Sequence, residues 1–66
     1  KMTELQRISG EICEIFQSKI KSLSEEQAEN MNLRNNSMNF CIELGDEVKA
    51  MWEAQDTLEY LKEITK

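Results

Sequence analysis

Apolar residues recur along this chain at helical spacing. Leu5, Ile8, Ile12 and Ile15 step by 3, 4 and 3, while Leu44, Met51 and Leu58 step by 7 with Cys41 and Val48 on their flank. These intervals place side chains on one face of an α-helix. Proline is absent, Gly10 and Gly45 are the only glycines, and no β-branched alternation marks a strand. The expected class is all-α.

The phase of the stripe predicts how many helices there are. Leu5, Leu23 and Cys41 lie 18 residues apart, five turns of a straight helix. A strict heptad fails, because the C-terminal set is displaced from the N-terminal one by four residues, a stutter that relaxes left-handed supercoiling. The leading expectation is therefore one long amphipathic helix, with Asn30–Phe40 (NMNLRNNSMNF) as its polar waist. Five asparagines there cost roughly 3 kcal/mol relative to alanine, which weakens a helix without breaking it.

Two other architectures stay open. A hairpin broken near residues 30–37 would face Ile12 to Leu58 and Leu23 to Val48. A compact three-helix monomer is the other. Two boundary signals compete with continuity, of which the first is Leu23-Ser24-Glu25-Glu26-Gln27-Ala28, a capping box with Ser24 as N-cap and Leu23 and Ala28 placed as a hydrophobic staple, a pattern that also occurs by chance inside helices. A second start could be capped at Asn36-Ser37. In either elongated form the helices must associate into a coiled coil or helical bundle, because neither a rod of about 99 Å nor a lone hairpin buries its own stripe.

Sixty-six residues allow one domain, and a core of that size rarely contributes more than about 3–5 kcal/mol unaided. With no His, and with Cys13 and Cys41 at 28 residues' separation, no zinc-ligand spacing exists. The two cysteines read as reduced thiols packed as small hydrophobes. There is no secretory h-region and no apolar run near the roughly 20 residues of a membrane span. The chain thus reads as intracellular, and as an excerpt of a larger protein because it begins with Lys.

The net charge of −5 divides into −2 over residues 1–33 and −3 over residues 34–66. Without a basic patch, direct nucleic-acid binding and membrane binding are disfavoured. The acidic run from Glu43 to Glu63 reads mostly as a solvated outer face. Catalysis has little footing: there is no His to act as base, and Cys13 has no basic neighbour nearer in sequence than Arg7 and Lys19. No enzyme activity, metal or cofactor is expected.

The predicted function is protein–protein interaction, by a single helical oligomerisation segment spanning 1–66 that assembles a larger scaffold-type protein. Its interface would be one stripe: Leu5, Ile8, Ile12, Ile15, Phe16, Ile20 and Leu23, bridged by Met31 and Met38 to Cys41, Leu44, Val48, Met51, Leu58 and Leu61. Trp52 flanks the stripe as a large interface anchor. The stripe is broader than a two-stranded seam, which favours a homo-oligomer of three or four helices, or another helical protein as partner. Gln27, Asn30 and Arg34 interrupt the stripe where it crosses the middle. Gly45 reads as a helix-interior glycine that either admits a partner side chain or kinks the helix. The alternative function is a self-contained helical regulator that binds a protein or ligand in its own groove, lined by Met31, Met38 and Met51.

Overall fold

Two short connections, residues 20–24 and 44–46, separate three α-helices among the described residues: α1 (Glu4–Lys19), α2 (Glu25–Glu43) and α3 (Glu47–Ile64). The computed structural model describes residues 3–66, and among them there is no strand. The all-helical class and the helical bundle hold. The break does not fall at residues 30–37, and the helix is not continuous: Asn30–Phe40 lies wholly inside α2, and the chain turns at residues 20–24 and 44–46.

Each boundary has a local cause. Thr3 and Gln6 form a reciprocal capping box at the start of α1, with Gln6 N–H donating to Thr3 Oγ1 at 3.2 Å and Thr3 N–H donating to Gln6 Oε1 at 3.0 Å. Glu4 and Arg7 pair in the same turn, and the Arg7 guanidinium holds the Glu4 carboxyl below the usual carboxylate range. After α1 a single 3-10 turn, Ile20–Ser22, leads to extended Leu23. Ser24 and Gln27 then repeat the box at 3.0 and 3.1 Å and start α2, while Leu23 and Ala28 are both half-buried, as a staple requires.

The second turn depends on Gly45, whose φ is +80°. Asp46 N–H donates to Cys41 O and Gly45 N–H to Ile42 O, both at 3.0 Å. These are the paired bonds of a Schellman motif, which needs a left-handed residue just past the helix end. Asp46 at once caps α3, its side chain accepting from Lys49 N–H at 3.1 Å. Three residues reverse the chain. Gly45 therefore ends a helix rather than sitting inside one.

α3 lies against both of its neighbours, whereas α1 and α2 barely approach each other at the backbone. Its inward face is Ala50, Ala54, Thr57 and Leu61, each with no exposed surface. The first three are small, so neighbouring side chains close directly on the α3 backbone. Ile8 and Ile12 from α1 and Met31 and Met38 from α2 complete the core. Across the gap between α1 and α2, Ser9 Oγ lies 3.7 Å from Met38 Sδ.

Two substitutions follow, both read from urea midpoints. Gly45→Ala meets open space but forces alanine into a left-handed conformation, at a cost of about 1–2 kcal/mol; an unchanged midpoint would contradict the turn. Thr57 Oγ1 is buried without a hydrogen-bond partner. Thr57→Val removes that penalty at nearly constant shape and is expected to stabilise by about 1 kcal/mol. A loss would mean that the hydroxyl is bonded.

Candidate functional site

The residues assigned to one interface stripe separate into three environments. Ile8, Ile12, Met31, Met38, Cys41 and Leu61 are buried within the chain's own core. Leu5, Ile15, Phe16, Met51 and Leu58 pack against that core and are partly buried, as is Leu23 at the first turn. Ile20, Leu44, Val48 and Trp52 are exposed. Leu44 belongs to the end of α2, so the heptad series Leu44–Met51–Leu58 crosses a chain reversal and does not form one face. The methionines expected to line a groove belong to the core: Met31 and Met38 are buried, and Met51 is partly buried against the same cluster.

Helix geometry locates the exposed set. On α3, at about 100° per residue, Val48 and Trp52 point away from the face made by Ala50, Ala54, Thr57 and Leu61; they are 79% and 76% exposed. On α2, Leu33, Phe40 and Leu44 step by 7 and 4 and share a face, with Phe40 61% exposed. Leu33 and Phe40 were not anticipated as site residues, although their spacing with Leu44 was visible in the sequence.

The two faces lie on the same side of the α2–α3 hairpin. Asn30, Arg34 and Cys41 mark the flank of α2 turned to α3; Asp56 and Tyr60 mark the flank of α3 turned to α2. On each helix the core lies to one side of that contact line, and the exposed apolar residues lie to the other. Arg34 donates to Asp56 at 2.6 Å and stacks over the Tyr60 ring at 4.3 Å, and Asn30 lies 3.4 Å from Tyr60 Oη. Asn30 and Arg34 are thus half-buried clasp residues within a folded hairpin. Both pairings, 34 with 56 and 30 with 60, sum to 90. That register sets Phe40 level with Ala50, between Val48 and Trp52 along the axis.

Trp52 also borders a broad surface depression of about 580 Å³ on α3, with Lys49, Glu53, Gln55, Asp56 and Glu59. All six residues come from one helix, so it is an open face rather than a chamber that could desolvate a reacting group. A second cleft, about 90 Å³, lies where α1 and α2 diverge, lined by Ile12, Cys13, Phe16, Met31, Asn32 and Asn35 together with Ser9. It has room for a side chain or a few waters, and Cys13 at its edge is an exposed free thiol.

Among the described residues no group of three or more His, Cys, Asp or Glu is arranged to hold a metal ion, and no helix is long and apolar enough to cross a membrane. No family model, curated protein or solved structure matches the chain.

If the outer face is surplus to folding, its residues and those of the core must differ sharply on substitution. Trp52→Ser and Val48→Ser are expected to change stability by no more than about 0.5 kcal/mol, and Ile12→Ala and Leu61→Ala to cost about 2–5 kcal/mol, in urea titrations followed by circular dichroism. A loss above about 1 kcal/mol for Trp52→Ser would place that ring in the fold rather than on a free surface.

Proposed function

We propose that this chain is a protein–protein interaction module: a three-helix unit with its own core that receives a helix from another protein on the outer face of the α2–α3 hairpin. One observation carries the reading. Phe40, Leu44, Val48 and Trp52 are all more than half exposed and share that face, whereas the residues that hold the helices together are elsewhere. Isolated exposed apolar residues are ordinary on a protein surface, but a shared face of large ones is a mark of interaction sites. Aromatic residues such as Trp52 and Phe40 carry much of the binding energy in interfaces.

The form of the face suits a helix. Two antiparallel helices present a shallow furrow, and a partner helix fills such a furrow with side chains at i, i+4 and i+7. The function is one of binding, with the partner's apolar residues replacing water over Trp52 and its neighbours. Joining copies of this chain would use the same face, and the acidic side chains around it oppose that use.

A titration of isotope-labelled protein with an uncharged 18-residue amphipathic helix, bearing Leu anchors at these intervals and Gln elsewhere, tests the reading. Amide shifts are expected to concentrate between residues 33 and 52. Shifts centred on Ser9, Cys13, Asn32 and Asn35 would transfer function to the cleft between α1 and α2, as for a regulator that binds in its own groove. No shifts at all would contradict a docking face.

A further inference from the structure

The positions of the turns expose a charge asymmetry. Residues 1–24 carry four bases and three acids, a net +1, whereas residues 25–59, which make α2 and most of α3, carry nine acids and two bases, a net −7. Arg34, one of the two bases, is engaged by Asp56 and Tyr60. Lys49 is the other, beside Trp52.

The acids are not spread at random over the hairpin. At about 100° per residue, Glu26 and Glu29 continue the Leu33–Phe40–Leu44 face of α2 toward its N-terminus. Asp56 and Glu59 continue the Val48–Trp52 face of α3 toward its C-terminus. Because the helices run antiparallel in the register set by Arg34–Asp56, these two extensions lie at the same end. The outer face is therefore graded along its length, with large apolar side chains at the Gly45 turn and carboxylates at the other end. Among the described residues, Glu26, Glu29 and Glu59 form no ion pair.

We infer that the occupant of this face is a cationic amphipathic helix whose apolar end covers Phe40, Leu44, Val48 and Trp52 and whose Lys or Arg residues lie over Glu26, Glu29 and Glu59. This rests on the docking reading above and adds the chemistry of the partner. Complementary charge steers encounter and rejects wrong partners. It also disfavours a second copy, which would bring an equally acidic hairpin against this one. An 18-residue helix is about 27 Å long, enough to run along the 19 residues of α2.

The chain has a single tryptophan, so Trp52 emission reports on the face directly. The probes are three 18-residue helical peptides with the same Leu anchors at one end and Lys, Gln or Glu at the other, each made in both chain directions. The Lys peptide is expected to shift Trp52 emission to the blue with 1:1 saturation. It should bind at least about tenfold more tightly than the Glu peptide, with a gap that narrows as salt rises. Glu26→Gln with Glu29→Gln and Glu59→Gln should remove most of that gap. Phe40→Ser with Leu44→Ser, which keeps the reporter and changes only exposed side chains, should weaken binding about tenfold or more, with helicity checked by circular dichroism.

The outcomes separate the two claims. If all three peptides bind alike and Phe40→Ser with Leu44→Ser weakens each, the face docks helices and the cationic partner is overturned. A blue shift on raising the concentration of the chain alone would make a second copy the occupant, which also overturns it. Binding of the Lys peptide that ignores Phe40→Ser with Leu44→Ser, or no binding by any peptide, would overturn the docking reading itself.

Discussion

The close seating of α3 between its neighbours is the constraint on which the rest of this structure depends. Ala50, Ala54 and Thr57 contribute little side-chain volume, and together with Leu61 they are wholly buried. Ile8, Ile12, Met31 and Met38 can therefore converge on one helix. Larger residues in place of Ala50, Ala54 and Thr57 would push α1 and α2 away and open the core to water. With α3 in this position, its opposite face has no helix to cover it, and Val48 and Trp52 are on that face.

The turns make this seating possible with very few residues. The loop between α2 and α3 is Leu44, Gly45 and Asp46, closed by two backbone bonds and one capping side chain. A loop so short holds the helices antiparallel and in register, and the Arg34–Asp56 pair and Tyr60 stack set the same register two to three turns further on. Arg34 is shared between a carboxylate and an aromatic face, which suits a planar guanidinium better than a lysine ammonium. The Asn-rich segment remains helical because its asparagines are mostly at the surface of α2, while Met31 and Met38 anchor its other side.

Much of this was legible in residues 1–28. The steps of Leu5, Ile8, Ile12 and Ile15 correctly gave an amphipathic first helix, and the capping box at Ser24 marked the start of the second, although a continuous helix was preferred. The same pattern of a hydroxyl followed three residues later by Gln stands at Thr3 and Gln6. Beyond residue 40 the sequence pattern misleads for a physical reason. Periodicity records spacing but does not record a chain reversal, so Leu44, Met51 and Leu58 looked like one face. A single Gly carried the turn signal, and with no proline nearby it also fitted a helix interior. Once α3 is started at Asp46, three of the four residues of its buried stripe, Ala50, Ala54 and Thr57, are small ones that hydropathy barely registers, and only Leu61 stands out. The largest side chain, Trp52, is on the wet side. Charge counted by halves of the chain likewise hid the asymmetry that appears when it is counted by helices.

The central claim is that one copy of this chain closes its own core and leaves the Trp52 face uncovered. Acrylamide quenching of Trp52 fluorescence, measured with sedimentation mass on the same samples from micromolar to millimolar concentration, tests it most directly. The account predicts a particle with the mass of one chain and an indole quenched nearly as readily as the free amino acid throughout. A multimer in which Trp52 is shielded would contradict it, and would make the face an interface between copies.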